Sequence, residues 1–67
     1  MLTLANGYRV QIRPVICFGT RCWCVAWDAP VCRHRTRCRC GHATHYSHAA
    51  AIETVCTIAE RRGRRQP

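Results

Sequence analysis

Seven cysteines and four histidines in 67 residues are enough to hold a metal ion. Cys22 and Cys24 form one short pair, and Cys32 and His34 form another across a gap of seven residues. Zinc takes four tetrahedral sulfur or nitrogen ligands, and a short pair at each end of a loop delivers them. A second cluster follows in Cys38, Cys40, His42 and His45, with His48 three residues further on. The expected cofactor is therefore one zinc ion, held by one of these two sets, or none. An odd number of cysteines and an N-terminus with no basic start or apolar stretch argue against a disulfide framework and a secretory signal. That places the chain in a reducing, cytoplasmic setting. Cysteines that bind no metal there act as small buried apolar groups.

Charge is the second chemical feature. Eleven Arg, with no Lys, face three acids (Asp28, Glu53 and Glu60), for a net charge of +8. Guanidinium offers planar bidentate donors suited to phosphate and to guanine edges. A small domain so short of acids points to a polyanionic partner: nucleic acid, with DNA favoured over RNA, or an acidic protein. GC-rich coding alone would explain Arg in place of Lys, but it does not explain the shortage of acids.

Catalysis finds no support. Nothing in the spacing fixes a Cys–His–acid arrangement, and there is no phosphate loop. The chain reads as a non-enzyme with no catalytic residues. No apolar run is long enough for a membrane span, so no membrane partner is expected.

The elements that must carry these residues follow from the patterning. Residues 8–16 alternate, with Tyr8, Val10 and Ile12 on one side and Arg9, Gln11 and Arg13 on the other, as in a half-buried strand. Pro14 marks an edge strand or a strand end. Residues 17–20 supply a turn around Gly19, and residues 21–28 alternate again, which makes a hairpin. Trp23, Val25 and Trp27 form its bulky face, and Cys22, Cys24 and Ala26 its thin one. Residues 35–40 give a third alternation, with Arg35, Arg37 and Arg39 on one face and Cys38 and Cys40 on the other; Gly41 ends it. A helix follows, capped by Thr44 or Ser47, with Ala49, Ile52, Val55, Cys56 and Ala59 as its apolar stripe and Gly63 after its end.

The expectation is an α+β fold, a small three-stranded antiparallel sheet packed on one C-terminal helix in the order β-β-β-α. Residues 1–7 form an N-terminal extension, 8–62 the single domain, and 63–67 a basic disordered tail. The helix covers the bulky sheet face, burying both Trp23 and Trp27. The opposite face carries Arg9, Gln11, Arg13, Arg35, Arg37 and Arg39 with Cys22 and Cys24.

Two families share parts of this pattern. The Cys22-x-Cys24 and Cys32-x-His34 pairs resemble the SWIM zinc finger, although a helix follows the last pair in that family and Arg35–Cys40 reads as a strand here. The resemblance implies Cys22, Cys24, Cys32 and His34 as ligands and DNA or protein binding. Cys38-x-Cys40-Gly41-His42 looks like a zinc knuckle. Over residues 8–62 the order of elements is similar to the arm-type DNA-binding domain of phage and transposon integrases. The stretches that match are Gly19-Thr20-Arg21-x-Trp23-x-Val25-x-Trp27-Asp28, Arg35-x-Arg37-x-Arg39, and the helix opening at Thr44-x2-Ser47. That resemblance implies a sheet laid in the major groove with the helix behind it. The double-stranded-RNA-binding domain shares the three strands and helix, but residues 1–7 are too few for its leading helix.

These observations favour a small DNA-binding accessory protein of phage or mobile-element origin. Arg9, Arg13, Arg35, Arg37 and Arg39 would contact phosphates, and Arg61, Arg62, Arg64 and Arg65 would add sequence-independent affinity. The competing readings are a zinc-stabilised interaction module or inhibitor acting on a host protein, and a GC-rich reading frame with no selected function.

Overall fold

The computed structural model describes residues 2–30 and 39–61. Their elements run in the order β1 (Leu2–Thr3), β2 (Arg9–Cys17), β3 (Thr20–Asp28), β4 (Gly41–His45) and α1 (His48–Ala59). The strands form one four-stranded antiparallel sheet in chain order, and the fold is α+β. The sheet has four strands where the patterning predicts three. The extra one, β1, is two residues long, too short for any alternation to register; it pairs Leu2 with Val10 and Thr3 with Arg9.

The β2–β3 hairpin fulfils its patterning. Its register pairs Val10 with Trp27, Ile12 with Val25 and Pro14 with Trp23 on one face. Arg9 pairs with Asp28, Gln11 with Ala26 and Arg13 with Cys24 on the other. Cross-strand partners share a face, so the bulky and thin sides separate as the sequence requires. The strands are joined by the two-residue loop Phe18-Gly19, whose φ values of 51° and 75° are those of a type I′ turn.

The strand expected over 35–40 is described only at its end. Residues 35–38 lie outside the described residues, and Arg39 and Cys40 have no strand structure. The strand that pairs with β3 begins at Gly41, opposite Trp27, and ends at His45, opposite Trp23. Gly41 packs closely under Trp27: a Cβ there would sit 3.0 Å from the indole ring. Ala43 and His45 then face the helix, while His42 and Thr44 turn away. Thr44 is consequently a strand residue. The cap is Ser47, whose Oγ accepts the Ala50 N–H at 3.1 Å.

The helix packs on the bulky sheet face, as expected, but rotated about its axis. Ala51 and Ile58 are buried and Thr54 and Val55 half-buried, whereas Ala49, Ile52, Cys56 and Ala59 are exposed. The stripe runs 51, 54, 55, 58, which is still the i, i+3, i+4, i+7 spacing of one helical face. Thr54 belongs to it because its hydroxyl shares a 2.7 Å hydrogen bond with His45 Nε2 across the sheet. Tyr8, Val10, Val25, Ala51 and Ile58 form the core, with Leu4, Ile12, Trp23 and Trp27 against it. Neither Trp is fully buried: Trp23 meets the His48 ring edge-on at 4.9 Å, and Trp27 lies toward the rim.

Candidate nucleic-acid interface

The helix occupies one face of the sheet, and no described helix or strand packs on the other, the open face, where Cys22 is buried and Cys24 and Ala26 are half-buried. Down the middle of that open face run the short side chains of Cys22, Cys24 and Ala26 from β3. Longer polar ones flank them: Arg9, Gln11 and Arg13 from β2, and His42 and Thr44 from β4. The flanking strands are two inter-strand steps apart, about 10 Å. Polar side chains thus stand on both sides of a row of small residues.

The electrostatics are one-sided. Of the three acids in the chain, Glu53 is on the helix and Glu60 caps its end, behind the sheet. Asp28 lies at one end of the open face and meets Arg9 at 3.4 Å, with the Arg side chain 58% exposed. An exposed pair of this kind contributes little to stability. It leaves the guanidinium room to turn to another anion, and Arg13 on the same face is exposed.

The remaining sequence-named arginines divide. Arg35, Arg37, Arg62, Arg64 and Arg65 lie outside the described residues. Arg39 is exposed just before β4, and its carbonyl accepts the Trp27 indole N–H at 2.9 Å. Arg61 is half-buried and stacks its guanidinium over two rings, 5.6 Å from the Trp27 centroid and 5.9 Å from Tyr8. Arg39, Arg61, Trp27 and Cys40 line one open hollow at the rim.

The metal candidates are only partly described. Cys22 and Cys24 share the open face, but Cys32, His34 and Cys38 lie outside the described residues. β4 directs His42 to the open face and His45 to the helix, so these two do not meet. Cys40 Sγ accepts the Ala29 N–H at 3.2 Å. Among the described residues no three His, Cys, Asp or Glu gather closely enough to hold a metal ion. Cys22 is buried, with its thiol on the Thr20 carbonyl at 3.5 Å. Burial first, and the neighbouring Cys17 second, push its thiol pKa up, away from the reactive thiolate.

Two further residues have no signal in the patterning. Arg21 is exposed near the hairpin turn, and alternation assigned it no role. Asn6, in the supposed extension, donates from Nδ2 to the carbonyls of Ile58 (2.8 Å), Ala59 (3.2 Å) and Arg61 (2.9 Å). Its Oδ1 accepts the Tyr8 N–H at 3.0 Å. An Asn-Gly dipeptide before a strand signals a turn, but nothing in it shows a reach to the far end of the chain.

No protein-family model, no curated protein and no solved structure matches this chain. No helix among the described residues is long and apolar enough to cross a membrane.

Proposed function

We propose that this protein is a small basic nucleic-acid-binding accessory protein of the cytoplasm, acting on DNA, and that the open sheet face is its binding surface. One observation carries the reading. The helix covers one face of the sheet, and the other presents Arg9, Gln11, Arg13, His42 and Thr44 around a row of small residues, with its lone acid already beside an arginine. Guanidinium, amide, imidazole and hydroxyl groups are the side chains that hold phosphate and sugar. DNA is favoured over RNA because a strand-borne face needs a wide groove, and the major groove of A-form RNA is deep and narrow.

The test is a fluorescence-anisotropy titration of a duplex at several salt concentrations. The native protein should lose affinity steeply as salt rises, because each neutralised phosphate releases counterions. The double variant Arg9→Gln/Arg13→Gln should lower the slope of log affinity against log salt by about 2. Binding with an unchanged slope would move the contact off this face.

A further inference from the structure

The β2–β3 hairpin runs past the rest of the sheet. β4 ends at His45, opposite Trp23, and β1 reaches no further along β2 than Val10. Beyond the Pro14–Trp23 pair, residues 15–22 pair only with each other among the described residues. A two-stranded ribbon therefore extends about 10 Å past that pair before it turns.

The end of this ribbon is built against folding convenience. Phe18 sits in the turn at φ 51°, a region in which a bulky L-residue is strained. Turns of this kind favour Asn or Asp before the Gly. The ring gains no burial in exchange: Phe18 is 101% exposed, and Ile16 next to it is 70% exposed. A strained, solvated aromatic at a tip points to a contact outside the chain. The charge around it narrows the partner. From Val10 to Trp27 the ribbon has no acid, and it carries Arg13 and Arg21, both exposed. The register sets these two on opposite faces: Arg13 pairs with Cys24 on the open side, and Arg21 with Ile16 on the helix side.

We infer that the hairpin tip enters the major groove of duplex DNA, with Phe18 against base edges and Arg13 and Arg21 reaching the phosphates of the two groove walls. This rests on the DNA-binding reading above and adds to it a site and a mode of readout. A two-stranded ribbon is of the size the groove of about 12 Å admits, and the minor groove of about 6 Å excludes it. A groove has an anionic wall on each side, which suits one arginine on each face of the ribbon. Lipid headgroups form a single surface and would engage both arginines only by splaying them around the tip. The base-edge group that a phenyl ring recognises is the thymine methyl.

The test uses two A·T-rich duplexes of one sequence, one with thymine and one with uracil, titrated with the full chain. Phe18→Asn removes the ring while suiting the turn, so the variant folds. The native protein should bind the thymine duplex about three- to fourfold tighter for each methyl contacted. Phe18→Asn should bind both duplexes equally and keep the native salt slope, and Arg21→Gln should lower that slope by about 1. A native protein that binds both duplexes alike with a steep salt slope overturns the tip insertion and leaves the sheet face as the binding surface. A folded native protein that binds neither duplex overturns both proposals. Co-sedimentation with anionic phospholipid vesicles that Phe18→Asn abolishes would then assign the tip to a lipid surface.

Discussion

Asn6 and Ile58 stand 52 residues apart in the chain and 2.8 Å apart in the fold. One side-chain amide thus binds the carbonyls of Ile58 and Ala59 at the end of α1 and of Arg61 just beyond it, and its carbonyl oxygen fixes the entry to β2.

Replacing this amide should loosen both ends of the domain together. Asn6→Ala removes four hydrogen bonds around a partly buried helix end and should cost about 2 kcal/mol. In so small a domain that lowers Tm by about 10 °C. Asn6→Asp keeps the acceptor for Tyr8 but sets a carboxylate against carbonyl oxygens, so it should destabilise at least as much. Thermal melts decide it; an Asn6→Ala protein that melts with the native one would show the contact to be idle.

The turn should respond in the opposite sense. Phe18→Asn relieves a backbone strain of about 1 kcal/mol and gives up no buried surface, so it should raise Tm by about 4–8 °C. A lower Tm would mean that the ring supports the fold and is not held out for a partner.

Cys22 should make the protein sensitive to alkali. Its thiol pKa is raised in the folded state above the ordinary 9.0, chiefly by burial. The folded state therefore holds this proton more tightly than the unfolded chain. The associated stability is fully present below the unfolded pKa and is lost as pH rises through the folded one. Urea midpoints from neutral pH to above pH 10 should fall more steeply for the native protein than for Cys22→Ser, which retains a donor for the Thr20 carbonyl. Parallel curves would place the alkaline response elsewhere.

The hairpin was legible because its information is local. Nine-residue strands show period-two alternation, and the bulky and thin faces of β3 could be read residue by residue. At the third strand two alternations stand back to back, Arg35–Cys40 and then Gly41–His45. Of the first only Arg39 and Cys40 are described, without strand structure, and the second is the one that pairs with β3, a partnership between strands that no spacing within one strand reveals. The helix stripe was displaced for a similar reason. Thr54 is polar by type, and only its bond to His45 makes it an inward residue. Of the open face, Arg9, Gln11 and Arg13 were visible from alternation, while His42 and Thr44 depended on finding β4. Phe18 gave no periodic signal, because its conformation belongs to a turn.

Pro14 has a consequence for how this protein behaves at high concentration. In a hairpin closed by the Cys17–Thr20 pair, the backbone groups of Ile12, Pro14 and Ile16 turn away from β3, and beyond Val10 no described strand covers them. A bare edge flanked by Ile12, Val15 and Ile16 is a template for adding the same strand from another copy. Proline supplies no N–H at the centre of that edge, so a docking strand would meet a gap in its ladder halfway along. The residue that leaves the ribbon free to project also keeps one molecule from growing into a fibre with the next. Pro14→Val would restore the donor, and the variant should aggregate at concentrations where the native chain stays monodisperse.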